Sequence, residues 1–427
     1  MSMTLTVASL IETIAKCAAF RRVRRLQPAG GVGDKLFPPT YPPPPGARRD
    51  APPRHVFERR RVDGGDVWCV LIDSVQSQAN RLEEALLAAT DRGSIRIPYV
   101  TVDFSRAGLE PLERITSLDA PHRVYDAILR DSVLDGEPFM QSAPGRRLAA
   151  AKPADAAALL ELSPTALLFG AWHSQGEGGG LGAKFPRAMV SEIMGVDTPV
   201  DQVPSQRSGE TELRTAAQRT GSRIDPLGIS KNVKIYRSSN DERNWTPREE
   251  DAARSKSGPA LFSRKKGDKA GRPSVINHGN VTPSVEPLGV TCAYAEHRAV
   301  ITLAGLRRLA FGGDTRNEAG RALIAALGLV ALAEQDAGGY ALRSRCDLVC
   351  DGPAPLELVR ADGSTEGIDL DHERALAIYA DAYARAESAG FRFESISLRP
   401  QEKLVEIVRR SRELALEGAG GEESEDT

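Results

Sequence analysis

The sequence has no long hydrophobic run, few cysteines and almost no net charge. Its best apolar window, Ala322–Ala333, is about half of the ~20 residues that a membrane-spanning helix needs, which excludes a membrane-spanning protein. The apolar segment Leu5–Ala19 carries two internal charges and precedes its arginines, the reverse of a signal peptide. The five cysteines are an odd number scattered over 427 residues. They predict reduced thiols and a cytoplasmic location.

Motifs of catalytic and metal sites are also missing from the sequence. There is no G-x-S-x-G and no H-E-x-x-H. Cys346 and Cys350 have no second cysteine pair and no nearby histidine, and the histidines are dispersed. We therefore expect no metal and no cofactor.

The net charge of -2 hides a strong segregation of charge. Residues 1–61 carry 12 basic and 4 acidic side chains, and residues 207–272 carry 16 and 9. Residues 62–206 carry 12 and 20, so acidic segments separate the basic ones. Such asymmetry indicates contact with a polyanion, although solvated basic surface is the alternative.

Composition and periodicity predict an α+β core with long insertions. The predicted strands are Val67–Asp73, Arg96–Phe104, Ala166–Phe169, Asn232–Tyr236, Ala299–Leu303, Leu356–Val359 and Phe391–Leu398. The predicted helices are Ser77–Thr90, Pro121–Val133, Pro153–Leu162, Pro186–Met194, Arg316–Gln335, Asp371–Ser388 and Pro400–Leu416. Proline-rich Lys35–Pro53 is expected to be an extended loop.

These elements predict five segments along the chain. They are a basic, proline-rich leader (1–61), the first part of the core with a glycine-rich loop (62–197), a basic insertion (198–287), the remainder of the core with C-terminal helices (288–417) and a disordered acidic tail (418–427). Periodicity fades in the insertion, which suggests a projecting β-hairpin.

The glycine-rich segment Gly176–Lys184 is the most conspicuous local feature. Glycines such as Gly178, Gly179 and Gly180 let a backbone approach phosphates closely and point its N–H groups at them. The loose pattern G-x-G-x-x-G/A is present, but no strand with a terminal acidic residue follows at the right distance. A loop along a nucleic-acid backbone, a flexible surface loop and a nucleotide site remain open.

Aromatic and cationic residues cluster around this segment: Trp172, His173, Gln175, Lys184, Phe185 and Arg187. Aromatic faces beside cationic groups suit a single-stranded nucleic acid, which needs stacking and phosphate neutralisation. The alternative for Trp172 is an ordinary core position. A general base at His173 would lack a partner at an informative spacing.

A second candidate group is Gln76, Ser77, Asn80 and Arg81, at the junction of a predicted strand and helix. Free N–H groups at a helix start attract anions, so these side chains are predicted to reach a phosphate or a base edge. Simple capping of the helix by Ser77 is the alternative.

Several longer runs resemble one family. They are IDSVQSQANRLEEAL (Ile72–Leu86), SLDAPHRVYDAILRDS (Ser117–Ser132), LLFGAWHSQG (Leu167–Gly176), AKFPRAMVSEI (Ala183–Ile193), PSVEPLGVT (Pro283–Thr291) and GLRRLAF (Gly305–Phe311). In this order they resemble the backbone subunit, of the RAMP superfamily, of type I-G (formerly I-U) CRISPR effector (Cascade) complexes. The resemblance spans about Val67–Phe311.

The resemblance implies a modified RNA-recognition-motif (ferredoxin-like) palm with a projecting hairpin thumb. It implies a non-catalytic subunit that polymerises along CRISPR RNA, with target DNA, copies of itself and other effector-complex subunits as partners. No RNP-type aromatic strand motif is present, so a grip on the backbone is favoured over stacking on the sheet. The alternative is a RAMP-type ribonuclease that uses His173 with Asp73 or Asp103.

Overall fold

The computed structural model describes residues 3–42, 54–173, 184–204, 211–241, 243–255, 258–263 and 270–418. The chain divides into two compact units. The first is Met1–Ala217 with Leu288–Leu404, and the second is Gln218–Pro287 with Val405–Thr427. Helices and mainly antiparallel sheets agree with the predicted α+β class. Of the helices that the structure describes, none has the length and apolar character that a membrane span requires.

The described α-helices follow in chain order. They are α1 (Val7–Lys16), α2 (Val75–Asp91), α3 (Ala127–Arg130), α4 (Ala143–Ala150), α5 (Ala157–Leu162), α6 (Thr165–Leu168), α7 (Leu303–Leu306), α8 (Asp314–Gly338), α9 (His372–Ser388) and α10 (Glu402–Gly418). Short 3₁₀ helices cover Arg123–Tyr125, Phe139–Gln141 and Pro273–Ile276.

The strands are numbered in the same way. They are β1 (Ala19–Pro28), β2 (Phe57–Val62), β3 (Gly65–Asp73), β4 (Val100–Asp103), β5 (Arg114–Thr116), β6 (Ser132–Leu134), β7 (Glu137–Pro138), β8 (Ala171–Trp172), β9 (Lys184–Phe185), β10 (Met189–Val196), β11 (Val200–Pro204), β12 (Thr211–Thr215), β13 (Gln218–Arg223), β14 (Tyr236–Arg237), β15 (Trp245–Thr246), β16 (Arg254–Ser255), β17 (Gly258–Pro259), β18 (Val281–Pro287), β19 (Tyr294–Thr302), β20 (Tyr340–Arg343), β21 (Cys346–Cys350), β22 (Leu356–Val359), β23 (Thr365–Ile368) and β24 (Ile396–Pro400).

A nine-stranded sheet forms the frame of the first unit. Its main order is β2-β3-β10-β19-β1-β21-β20, and β22 pairs with β1 and with β23. All of these pairs are antiparallel. The segment expected to be a basic leader therefore places β1 at the centre of this sheet, with Phe20 opposite Ile301 and opposite Leu358.

A smaller sheet has the order β5-β4-β24-β6-β7. Its β4 and β24 are parallel, although almost 300 residues separate them in the chain. Its other pairs are antiparallel. This sheet therefore joins β24, near the end of the first unit's chain, to strands that lie between residues 100 and 138.

Helix α8 is the central helix of the first unit. Residues 322–332 are all buried, so this part of the helix has no solvent-facing stripe. It packs against α1, α2, α6, α7 and α9. A methyl group at Gly328 would lie 2.8 Å from Ile301 Cδ1, so glycine allows α8 to approach β19 closely.

Asp73, the last residue of β3, is fully buried and accepts four hydrogen bonds. The donors are Ser77 Oγ at 2.8 Å, Gln78 Nε2 at 2.7 Å, Arg81 Nε at 3.0 Å and Arg343 Nη2 at 3.1 Å. Three of them belong to α2 and the fourth to β20. Because removing a carboxylate from water is costly, these donors offset the desolvation of Asp73 and join one strand end to two other elements.

A chain of polar side chains continues from Gln78 beneath the sheet. Ser191 Oγ donates to Gln78 Oε1 at 3.0 Å and lies 2.7 Å from His297 Nε2. His297 Nδ1 lies 3.2 Å from the Tyr340 hydroxyl, which donates to Asp336 of α8. Burial lowers the pKa of His297 well below its ordinary value, so its imidazole is neutral at pH 7.

The second unit contains a two-stranded ribbon, in which β13 pairs with β18. Nearly all residues of both strands are exposed. Arg219 and Glu286 form an ion pair of 2.7 Å across it. A small apolar cluster of the same unit consists of Ile235, Phe262, Val275 and Ile276. The described part of the basic insertion is therefore folded; its role as a thumb stays a prediction.

The predicted helix Pro186–Met194 is wrong, because most of that segment is the strand β10. It pairs with both β3 and β19. The register with β3 shifts between Ile193 and Met194, and this irregularity interrupts the two-residue alternation of a regular strand. Apolar residues at 189, 190, 193 and 194 then imitate a helical period.

Two other segments differ from the sequence interpretation. Ala166–Phe169 was predicted as a strand, but α6 covers most of it; every residue there is buried, so the run has no period that separates helix from strand. Pro121–Val133 was predicted as one helix, but it contains a 3₁₀ turn, the short α3 and the start of β6. Arg123, with a φ of +55°, interrupts that helix.

Of the strand predicted at Asn232–Tyr236, only Tyr236 is in a strand, β14, whereas Leu356–Val359 is the strand β22. The remaining predicted elements occur with shifted ends. The strand predicted at Arg96–Phe104 is limited to β4, and the one predicted at Phe391–Leu398 begins later, at β24. Of the proline-rich segment, residues 43–53 lie outside the described residues, as does the tail from residue 419.

We predict that Asp73→Ala lowers the free energy of unfolding by about 3–5 kcal/mol, because it leaves the buried partners of the carboxylate without an acceptor. Urea denaturation measures this loss. The control is Asp66→Ala on the same strand, whose exposed carboxylate lies 3.7 Å from Arg61 and should contribute less than about 1 kcal/mol. Equal losses for the two variants would contradict the prediction.

Candidate nucleic-acid interface

Two short strands join the ends of the glycine-rich loop. Trp172 of β8 pairs with Lys184 of β9, and Ala171 pairs with Phe185. The two ends of the segment that connects them therefore lie side by side. Residues 174–183 lie outside the described residues, and with them the predicted site residues Gln175, Gly178, Gly179 and Gly180.

The base of this loop presents an aromatic face and two cations. The Trp172 side chain is exposed, at 52%, and Lys184 Nζ lies 4.7 Å from the centroid of its ring. Arg187 is also exposed. Among the residues that the structure describes, neither Lys184 nor Arg187 has a carboxylate partner, so both charges are available to an anion. Phe185 is buried and its ring belongs to the core.

His173 stacks on a residue that the sequence analysis did not select. Its ring lies parallel to that of Tyr125, with centroids 4.8 Å apart and planes at 10°. The Tyr125 hydroxyl donates to the Leu148 carbonyl at 2.8 Å, which fixes the ring beneath the histidine. Burial lowers the pKa of His173, so the imidazole is neutral at pH 7. Within the described ranges, no carboxylate accepts a hydrogen bond from it.

A buried ion pair anchors the loop base to α2. Arg123 donates to both carboxylate oxygens of Glu83, at 2.9 and 2.8 Å, and to the Gly170 carbonyl at 3.1 Å. Burial raises the pKa of Glu83 to about 7, and the contact with Arg123 opposes that rise. Gly170 immediately precedes β8, so this pair connects the helix to the start of the loop hairpin.

Gly170 also allows a close approach of the returning strand. Its φ is +84°, and an added Cβ would lie 2.9 Å from Arg187 Cγ and 3.1 Å from the Phe185 carbonyl oxygen. A side chain is therefore disfavoured here both by the backbone conformation and by space. The position of Arg187 beside the loop base depends on this glycine.

The second predicted group divides into an exposed and an inward-facing pair. Gln76 and Asn80 are exposed and lie one turn apart on α2. Ser77 and Arg81 instead donate to Asp73. The proposed cap is corrected: Ser74 is the N-cap, and its hydroxyl accepts from the Ser77 N–H at 3.2 Å.

The structure thus brings Trp172, His173 and Lys184 together at one loop base, with Arg187 nearby. Tyr125, Glu83 and Arg123 complete its support and were missed by the sequence analysis. No composition or spacing rule reveals an ion pair 40 residues apart in the chain. The available signal was that Tyr125 and Arg123 fall within one of the runs that carry the family resemblance.

Within the described residues, neither carboxylate of the ribonuclease alternative forms a hydrogen bond or an ion pair with His173. Asp73 is fully buried by its four donors. Hydrogen bonds from the Ser105 hydroxyl and, at 2.9 Å, from the Ser105 N–H lower the pKa of Asp103. Within the described residues, no group of His, Cys, Asp and Glu side chains is arranged to hold a metal ion.

We predict that Gly170→Ala destabilises the protein by at least about 1–2 kcal/mol, because it combines left-handed strain with a clash. Gly93→Ala is the matched control: its φ is +75°, but an added Cβ there would meet nothing within 4 Å. Thermal denaturation compares the two. If Gly93→Ala is as destabilising as Gly170→Ala, the close approach at the loop base has no energetic role.

Comparison with protein families identifies a partial match. The family model described as CRISPR-associated protein GSU0053 matches residues 21–200. This range is less than half of the chain, but it contains every candidate site residue discussed above, from Gln76 to Arg187. A comparison with curated proteins finds no match. The family match supports a CRISPR-associated protein with a role in CRISPR systems.

Proposed function

We propose that the protein is a non-catalytic, CRISPR-RNA-binding backbone subunit of a type I effector complex, of the type I-G kind that its sequence resembles. The observation that carries this proposal is the exposed Trp172 ring beside Lys184 at the base of the glycine-rich loop. A base can stack on the ring while the ammonium neutralises a phosphate. A site of this kind binds RNA without recognising its sequence.

The strand order of the first unit supports an RNA-recognition-motif-like palm. Along β21-β1-β19-β10, neighbouring strands are antiparallel. In chain order, α2 lies between β1 and β10, and α8 lies between β19 and β21. A β-α-β-β-α-β unit of ferredoxin-like type has this order, with both helices on one face. The contact of α2 with α8, through Gln78 and Gln335 at 3.1 Å, is consistent with it.

The second unit is our candidate for the thumb. Its ribbon of β13 and β18 is exposed along nearly its whole length, which suits contact with a polymer or a neighbouring subunit. Residues 207–272 carry an excess of 7 positive charges, from 16 basic and 9 acidic side chains. Acidic segments elsewhere would allow identical copies to associate head to tail along the guide RNA, which pairs with target DNA.

We predict that Lys184→Ala and Arg187→Ala each weaken binding of single-stranded RNA and flatten its salt dependence. Each lost phosphate contact should reduce the slope of log K against log salt by about 0.7. Fluorescence anisotropy at several salt concentrations measures both quantities. The control is Lys16→Ala, an exposed lysine whose ammonium already lies 2.6 Å from Glu12.

An unchanged slope in both variants would place the phosphate contacts elsewhere. The same labelled RNA, incubated with and without divalent metal, tests the ribonuclease alternative. Recovery of intact RNA is expected of a backbone subunit. Specific cleavage that disappears in His173→Ala would favour the ribonuclease instead.

We predict a different response at Trp172. Trp172→Ala should weaken RNA binding by about 1–3 kcal/mol, the usual range for a base stacked on an aromatic side chain, with little change in the salt slope. Trp172→Phe should restore most of the affinity because it keeps an aromatic face. Full affinity in Trp172→Ala would show that the exposed ring does not contact RNA.

Assembly provides the test of the backbone role. With an RNA of about 40 nucleotides at low salt, size-exclusion chromatography with light scattering should show several protein copies per RNA, and high salt should dissociate them. The stoichiometry gives the number of nucleotides covered by each copy. Because partner subunits can be required, the measurement is repeated after co-expression with them. A single copy on long RNA in both cases would contradict polymerisation.

A further inference from the structure

Two arginines on the inward face of β1 share one carboxylate. Arg22 Nη1 and Nη2 lie 2.6 and 3.1 Å from the two oxygens of Asp336, and Arg24 Nη2 lies 3.0 Å from one of them. Their side chains are only 7% and 15% exposed, so both guanidinium groups are withdrawn from water. Arg24 also donates to Cys350 Sγ at 2.9 Å.

The charges of this cluster do not balance. In the part of the chain that the structure describes, Asp336 is the carboxylate within ion-pair distance of either arginine. The Tyr340 hydroxyl donates to it as well. His297 contributes no charge, because burial and then the two arginines lower its pKa. Two buried positive charges therefore face one negative charge.

Both arginines also have an unused donor. The Nε–H groups of Arg22 and Arg24 are buried and find no hydrogen-bond acceptor among the described residues. A buried donor without an acceptor is unfavourable, and more so when the donor is charged. The site thus lacks a negative charge and hydrogen-bond acceptors at the same place.

A cavity of about 340 Å³ adjoins these groups. Arg22, Arg24 and Asp336 line it, with apolar walls from Leu329 and Leu356. The first residues of α9, Asp371 and His372, line it too. The Asp371 carboxylate caps its own helix, since it accepts from the Arg374 N–H at 2.8 Å. We call this space the β1–α8 cavity.

We propose that the β1–α8 cavity binds a small anion with a carboxylate or phosphate group, which is held by the guanidinium groups of Arg22 and Arg24 that line it. The anion supplies the missing negative charge, and the apolar walls suit a short carbon skeleton attached to it. The site is separate from the RNA-binding residues proposed above and does not depend on them.

Thermal unfolding of the full chain tests the proposal with three probes: sodium phosphate, sodium acetate and adenosine monophosphate. Each is compared with sodium chloride at the same ionic strength, so that general screening is subtracted. A ligand that binds only the folded protein raises the Tm with its concentration. The three probes distinguish a free phosphate, a carboxylate and a nucleotide phosphate as the source of the anionic group.

Arg24→Met is the principal variant. It removes one donor and the excess charge but leaves Arg22 paired with Asp336, so we expect it to fold. The apparent dissociation constant of the stabilising anion should rise at least about tenfold, the effect of losing one charge-assisted hydrogen bond. The control is Arg25→Met. The Arg25 side chain points to the opposite face of β1, where its guanidinium lies 4.3 Å from the centroid of the Tyr294 ring, so this variant should leave the anion effect unchanged.

Asp336→Asn supplies a test with the opposite sign. It removes the negative charge that competes with the ligand, so the same anion should bind more tightly if the variant folds. The proposal is overturned if none of the three anions raises the Tm above the chloride control. It is equally overturned if Arg24→Met and the unaltered protein respond alike.

Discussion

The carboxylate of Asp73 fixes how the first helix after β3 lies against the sheet. A buried carboxylate needs donors, and the side chains that supply most of them stand on the first two turns of α2. Ser77 and Arg81 must therefore turn inward. Gln76 and Asn80 then face outward, because residues on a helix divide by face according to their spacing. One desolvated charge thus decides which polar residues of this junction meet the solvent.

The orientation of α2 extends to the loop base. With that helix held at Asp73, Glu83 points inward two turns later, where Arg123 satisfies it and uses its remaining donor on Gly170. The exposed part of the site, Trp172 and Lys184, stands on two strands of only two residues each. Its geometry therefore depends on a buried ion pair whose members do not touch a ligand.

Periodic elements could be predicted from the sequence because their signals are local. The helices α2 and α9 bury residues at helical spacing, whereas α8 and β3 contain continuous apolar runs, and all four were found. β10 was mistaken for a helix because its irregular register breaks the alternation. β1 was not predicted because its arginines are typical of a solvated basic segment. In the structure, two of them donate to Asp336, which lies more than 300 residues away in the chain. The aromatic and cationic parts of the candidate site were visible as a cluster, whereas its support from Glu83 and Arg123 required the tertiary structure.

The polar chain beneath the sheet has one more property, which emerges when its hydrogens are counted. Four contacts connect Gln78, Ser191, His297, Tyr340 and Asp336, and the atoms at both ends can only accept. The two hydroxyls and a neutral imidazole supply three hydrogens in total, so one of the four contacts always lacks a hydrogen. Hydroxyl rotation and the two imidazole tautomers allow different contacts to be the unfilled one. The heavy atoms of this chain therefore have one arrangement, whereas its hydrogens have several arrangements. A second proton on His297 would provide a hydrogen for each of the four contacts.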